Sequence, residues 1–506
     1  MNSIFRRLTS LLFAFTIMWT AVPPAAGQTL LDAFSEAVDE FTLENGLTFI
    51  TVERPEAPVV SFFTYVDVGA ANEVKGITGI AHMFEHMAFK GTRNIGSKDI
   101  DQELIAIAEM EDAYLALKAA KAQTPPVADD VLAEREAAFE AAQAQAKSLV
   151  EDGAFEEIIE RNGGVGINAS TSSDATRYFY SLPSNKVELW FSLEADRFMN
   201  PVLREFYTER DVVMEERRMR TDSQPIGRML EEFLTTAYKA HPYGEPVVGH
   251  MSDLETFTLT EAEAFYKEHY IPQNMTMVLV GDVDAAEVRR LAQTYFGTMA
   301  SGAATGQVET VEPPQLGERR ITIEDAAQPV YLSGYHKGSM SHPDDPVFDV
   351  LEDILSGGRT GRIYRSLVEE QQIALQAYGL HNYPGSKYPN LFLFLGIPNQ
   401  GVDPMDIEVA IDSILVEIVE NGVTDAELER AKNRARADLV RGLQSNTGVA
   451  SQLAFYQATT GDWRNLFARL DALSRVSSAD VQRVAAETFI PRNRTVAIIN
   501  TTSGAE

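Results

Sequence analysis

The sequence predicts an α+β protein built from two related halves, with a helical hairpin inserted in the first. Three observations carry that prediction. Strand-like and helix-like runs alternate without a strict strand–helix–strand rhythm, a segment starting at Tyr270 recurs at Phe489, and residues 103–151 turn abruptly to Ala, Glu, Lys and Leu.

The repeat is the most direct of the three. Tyr270-Ile-Pro-Gln-Asn-Met-Thr-Met-Val-Leu-Val280 closes one half and Phe489-Ile-Pro-Arg-Asn-Arg-Thr-Val-Ala-Ile-Ile499 closes the other, with Ile, Pro, Asn and Thr at matched positions 219 residues apart. Each copy follows a helical stretch (Thr260 to His269, Ala479 to Thr488) and ends in a β-branched run, as expected for duplication of a whole domain. A Gly/Pro/Ser/Thr-rich stretch, 301–317, reads as the linker, giving a first half over 28–300 and a second over 318–506. Within the first half, Val59 to Val68 reads as a strand leading through Gly69 and Gly76 into a helix that carries His82 to Lys90. The Ala/Glu-rich stretch 103–151 is broken by Thr124-Pro125-Pro126, where a helix cannot continue, and so predicts two antiparallel helices. Strands over Ile167 to Ser172 and Arg177 to Leu182 follow, then helices over Lys186 to Met199 and Glu205 to Arg220. The second half repeats the alternation: strand Val330 to Gly334, helix Val347 to Leu355, strand Leu391 to Gly396, long helices after Pro404.

Composition narrows the function. The 506 residues carry 43 Lys and Arg against 74 Asp and Glu, a formal charge of −31, which argues against nucleic acid as a partner. Residues 1–27 read as a secretory signal: Arg6 and Arg7, a short apolar run from Leu11 to Val22, then Ala25-Ala26-Gly27 before a cut at Gln28. That run is short against the roughly 20 residues of a bilayer span, so the expectation is export to the periplasm with no membrane span after cleavage. Cysteine is absent, which leaves any zinc site to His, Asp and Glu, the donor set of catalytic rather than structural zinc.

The chemistry concentrates in His82-Met83-Phe84-Glu85-His86. On a helix His82 and His86 share a face and can bind one ion, while Glu85 is placed to act as general base on a water at the metal. The order is the inverse of the commoner H-E-x-x-H. Ala81, Met83, Phe84, Met87 and Phe89 make the surroundings apolar, and buried histidines need partners. Catalytic zinc normally takes three protein ligands. Glu209 and Glu216, two helical turns apart on one face, are both candidates, and spacing does not choose between them.

Together with Gly76-x-x-Gly79, Phe89-Lys-Gly-Thr92, Asn168-Ala-Ser-Thr171, Glu209 to Glu216 and His241-Pro-Tyr-Gly244, the motif resembles the pitrilysin/insulinase family of zinc peptidases. The likeness is to its mitochondrial-processing-peptidase-like branch, in an exported bacterial form, and it covers nearly the whole mature chain. The resemblance implies one Zn2+ per chain with Glu216 as third ligand and Glu209 as an outer carboxylate. It also implies two α/β-roll halves enclosing a peptide-holding chamber, and an edge strand at Asn168, Ala169 and Ser170 that pairs with substrate backbone. Two departures stand out. The stretch from His86 to Glu216 is longer than the family's, and the hairpin accounts for the excess. The positions where the family's second half carries a substrate-binding Arg and Tyr fall on Val368 and Leu375, with Tyr378 nearby, and that half has no histidine pair. The reading is therefore a zinc endopeptidase acting on peptides or unfolded segments, with a non-catalytic second half, a homologous partner subunit or homodimer as its partner, and the missing Arg and Tyr supplied by another chain that carries them. The alternative is a non-catalytic or chaperone-like metal-binding subunit of a heteromeric complex.

Overall fold

The structure, a computed structural model, describes residues 31–32, 34–303 and 307–502. The expected signal segment lies outside the described residues, among which no helix is long and apolar enough to cross a membrane. The first half is built on strands β1 (Val38–Thr42), β2 (Thr48–Glu53) and β3 (Val59–Val66), then helix α1 (Ile80–Met87) and the hairpin of α2 (Ile100–Lys121) and α3 (Asp129–Ser148). Strands β4 (Val165–Thr171) and β5 (Thr176–Pro183) follow, then α4 (Val187–Met199), α5 (Phe206–Arg217), α6 (Pro225–Ala237), α7 (Leu259–His269) and β6 (Met275–Gly281). In the second half β7 (Arg319–Asp325) and β8 (Val330–Lys337) lead to α8 (Asp345–Ser356), β9 (Ala374–Tyr383) and β10 (Asn390–Pro398). Helices α9 (Pro404–Asn421), α10 (Asp425–Gly442), α11 (Asn446–Thr460), α12 (Asn465–Arg475) and α13 (Ser478–Thr488) precede β11 (Arg494–Thr501).

The sheets run β1-β2-β6-β3-β5-β4 and β7-β11-β8-β10-β9, so the second reproduces the first without β1. In each, the last strand in sequence is inserted centrally, parallel to the first member of its set (β2–β6, β7–β11) and antiparallel to the next (β3–β6, β8–β11). The repeat seen in the sequence is the device that inserts it. Capping boxes at Thr258/Glu261 and Ser477/Asp480 start α7 and α13. Pro272 and Pro491 each open a single 3-10 turn. Asn274 and Asn493 then donate through Nδ2 to the carbonyls of His269 and Thr488, closing the helix ends just before each strand begins.

Each half lends one helix to the other. Helix α6 packs across β7 and β11, while its counterpart α11 packs across β3 and β6. Phe233, Leu234 and Ala237 thereby meet Val330, Leu332, Leu393 and Ile499; Val449, Leu453 and Ala454 meet Ile50, Phe63, Tyr65 and Val280. Gly334, within β8, leaves the room that Phe233 fills, since a Cβ there would lie 2.7 Å from the Phe233 ring. The other face of each sheet is covered by its own helices, so β3, β6 and β8 are buried on both faces. That is why they read as continuous apolar runs.

The predicted hairpin forms, and Thr124-Pro125-Pro126 sits in its turn. Strands β1, β2, β7 and β9 and helix α6 were not predicted from the sequence. Of these β7 alternates half-buried and exposed residues and is rich in charge, RRITIED, as an outer strand is. The segment after residue 306 is held down: Glu312 accepts the backbone N–H groups of Lys239, Ala240 and His241 at 2.8–3.1 Å.

Candidate metal centre

Helix α1 is fixed at its start and along its back. Gly79, the residue before it, has φ +89°, and a Cβ there would lie 2.5 Å from the carbonyl oxygen of Val248, so only glycine serves. The buried Glu73 carboxylate accepts from Gly79 N and Ala81 N, both at 2.8 Å, satisfying donors the helix cannot satisfy itself. Asp253 holds the preceding turn through Gly76 N and Thr78. Behind the helix, Phe84 lies among Phe265, Tyr266 and Tyr270, and the Tyr178 hydroxyl donates to the Phe84 carbonyl. The opposite face is left to the two histidines.

His82, His86 and Glu216 form the one group of metal-ligating side chains found among the described residues, their donor atoms within 4.8 Å of one another. His82 Nε2 lies 3.7 Å from Glu216 Oε1 and His86 Nε2 lies 3.3 Å from Glu216 Oε2. Glu216 comes from α5, which packs on α1. Glu209, two turns earlier on that helix, faces His86 Nδ1 at 2.8 Å and Lys90 Nζ at 2.8 Å. With Nδ1–H donated to Glu209, His86 Nε2 turns a lone pair towards a carboxylate oxygen. What reconciles two such acceptors is a cation, a proton in the metal-free protein or a metal ion, so the donor set fits zinc. Arg220 Nη1 also reaches Glu216 Oε1, at 2.6 Å, from the solvent side.

The electrostatics divide the two imidazoles. Burial and the neighbouring His86 pull His82 below the usual histidine value. Burial acts on His86 in the same direction, but the Glu209 carboxylate outweighs it and leaves His86 raised. Burial would push Glu209 up; the hydrogen bonds from His86 and Lys90 prevail and hold it down at about 2. Glu85 is half-buried, its charge is felt by both rings, and its side chain has no hydrogen-bond or ion-pair partner among the described residues.

Asn168, Ala169 and Ser170 lie on β4, the terminal strand of the first sheet, and β4 packs against α1. They pair inward with Phe179, Tyr178 and Arg177, leaving the other side of the strand without a neighbouring strand. Val368 packs against the second core, Leu375 is 59% exposed on the terminal strand β9, and Tyr378 is half-buried on the same strand. Glu73 and Glu205 went unremarked in the sequence because they act through a turn-specific and a long-range contact; Arg220 is four residues from Glu216, a spacing that could have been read. Lys90 stood inside a quoted motif without a role.

Two imidazoles and a carboxylate converging beside an unengaged glutamate are the equipment of a metallopeptidase of the inverted-motif class. Two family profiles match, one described as Insulinase (Peptidase family M16) over residues 48–118 and 145–250, the other as Peptidase M16 inactive domain over 256–435. The chain belongs to the M16 peptidase family. It is 30% identical to the zinc protease PqqE of Helicobacter pylori over 458 residues, 89% of this chain and 90% of that one. It is 24% identical to a probable mitochondrial-processing peptidase subunit beta of Schizosaccharomyces pombe, over 92% and 91% of the two chains. The crystal structure of a protease from Helicobacter pylori matches with a TM-score of 0.76 at 28% identity, covering 92% of this chain and 99% of that one. The insulinase profile skips 119–144, the far part of the α2–α3 hairpin.

Proposed function

We propose that the chain is a zinc-dependent endopeptidase hydrolysing peptides or unfolded segments taken between its halves. The observation that carries this reading is the convergence of His82, His86 and Glu216 beside Glu85. Those three would hold the ion, with Glu209 steadying His86. Bound zinc supplies Lewis acidity that polarises a peptide carbonyl and acidifies water. Glu85 takes the proton of the attacking water on its carboxylate and passes it to the leaving nitrogen. Substrate backbone lies along the free side of β4 at Asn168, Ala169 and Ser170. The basic, apolar and small-residue pattern of residues 1–27 supports export to the periplasm. The deciding measurement is zinc content and turnover of a quenched peptide on one sample. Glu85→Gln keeps the zinc and loses at least about 10²-fold in turnover; activity near wild type would remove Glu85 from the mechanism.

Val368 and Leu375 favour a further element of this reading. An apolar side chain at either position cannot orient a scissile carbonyl as a guanidinium or a phenol can. A homologous partner subunit that carries an Arg and a Tyr at those positions completes the site, and the isolated chain works about 10²-fold more slowly without it. Peptide turnover by the highly purified chain, compared with material co-purified from the cell, tests this. Full activity in the single chain, independent of concentration, would exclude the partner and make Tyr378 the residue to replace first. Zinc uptake without turnover, with the partner present, would instead favour a chaperone-like metal-binding subunit.

A further inference from the structure

A row of alternating charges runs from the hairpin to the metal centre. Lys147 Nζ, near the end of α3, lies 3.3 Å from Glu205 Oε1, and Glu205 Oε2 lies 3.5 Å from Lys90 Nζ. Lys90 Nζ is 2.8 Å from Glu209 Oε2, and Glu209 Oε1 faces His86 Nδ1 at 2.8 Å. Only Lys147, with 61% of its side chain accessible, has its charge in solvent; the Glu205 side chain is 7% accessible. A second observation falls on the same residues. Glu205 stands at φ +55°, ψ +23°, in the left-handed region, immediately before α5. A non-glycine residue there is uncommon and persists where its surroundings compel it. Its side chain makes no capping bond to the helix it precedes, and turns instead to the two lysines.

We infer that Lys90 and Glu205 are positioning residues for the metal centre, a role resting on the zinc reading above. A carboxylate held at one oxygen pivots about its terminal bond and lets the imidazole it holds swing with it. Lys90 grips Glu209 at the oxygen that His86 leaves free, so both ends are fixed and His86 Nε2 stays aimed at Glu216. Glu205 in turn keeps the Lys90 ammonium beside Glu209. Its left-handed backbone is the distortion that places its carboxylate there. The plain alternative is three half-buried charges that merely neutralise one another. It predicts that stability falls while metal affinity stays unchanged.

The test separates the two. Zinc affinity of the full chain is measured by competition with a chelator, beside its thermal midpoint. Lys90→Met lowers the affinity about 10-fold, in the range of outer contacts to metal-bound histidines, and Lys90→Arg recovers most of it. Glu205→Asn, which accepts a left-handed backbone, keeps the wild-type midpoint and still loses several-fold in affinity. Undiminished affinity in Lys90→Met, or a lower midpoint with unchanged affinity in Glu205→Asn, overturns the inference. A wild-type chain that takes up no zinc overturns the metal reading itself, and this one with it.

Discussion

Helices α1 and α8 occupy matching places in the two halves and do opposite things with them. Each follows the equivalent strand, packs on the next sheet-edge strand (β4 or β9), and meets the equivalent later helix (α5 or α10). Even the spacing recurs: His82, Glu85 and His86 on α1, Asp349, Glu352 and Asp353 on α8. In the first half the polar atoms are left facing one another. In the second they are closed off in pairs. Arg469 spans Asp345 and Asp349 at 2.7 and 2.6 Å, His381 takes Asp349 and Glu352 on its two ring nitrogens, and Arg434 takes Asp353 at 2.8 Å. Counting 219 residues on from Glu209 and Glu216 reaches Leu428 and Ala435. A cavity of about 490 Å³ beside this cluster is lined by the same paired charges. What separates the two clusters is thus their residue types, imidazoles facing a carboxylate in the first half and carboxylates each met by an Arg or His in the second, while the backbone layout stays the same.

Four experiments break or sharpen that contrast, in falling order of expected effect. Glu85→Gln costs at least about 10²-fold in peptide turnover, whereas Glu352→Gln, its counterpart in spacing, leaves turnover at the wild-type level. A comparable loss in both would make the second half a participant. Phe233→Ala empties the lent helix α6 of its main anchor and lowers stability by about 3–5 kcal/mol in urea unfolding; a change under 1 kcal/mol would mean the exchange is incidental. His381 supplies the third contrast. Burial disfavours its charge, but Asp349 and Glu352 outweigh that and raise it to about 9. Since the folded value exceeds the unfolded one, the stabilisation is whole below about pH 6.5 and is lost as pH rises through about 9, at most about 3 kcal/mol. His381→Asn flattens the stability profile across that window, and an unchanged slope would place the proton elsewhere. On the proposed zinc reading Glu216→Gln would forfeit a direct ligand, while Glu209→Gln would cost about 10–100-fold in zinc affinity. A chelator titration that ranks Glu209→Gln as the weaker binder would reverse their roles.

The parts legible in the sequence are those whose signals are local. His82, Glu85 and His86 announce themselves through helical spacing. The strand-inserting repeat shows through Pro272, Asn274, Pro491 and Asn493, because a turn of one geometry needs those residue types. The hairpin shows through composition and its Pro-Pro break. Assigning Glu216 rather than Glu209 needed family resemblance, and the structure separates the two by distance: one is between the Nε2 atoms, the other behind Nδ1. Glu73 escaped notice because an acidic residue seven positions before a helix start is ordinary, and only folding turns it onto Gly79 and Ala81. Helix α6 was missed although Pro225 opens it and Met229, Phe233 and Ala237 fall on one face; what no local pattern encodes is that this face answers to a sheet in the other half.

The loan of α6 and α11 also says something about descent. Because the two exchanged helices stand at equivalent places in the repeat, a single ancestral half could have built the same arrangement as a two-fold dimer, each copy passing its helix to the other. Gene fusion would then have frozen that dimer into one polypeptide, freeing one copy of the centre to lose its histidines. On this view the protein is a domain-swapped pair written as a single chain. Cutting the peptide between residues 303 and 307 would leave two fragments that remain associated through the helices they hold in common.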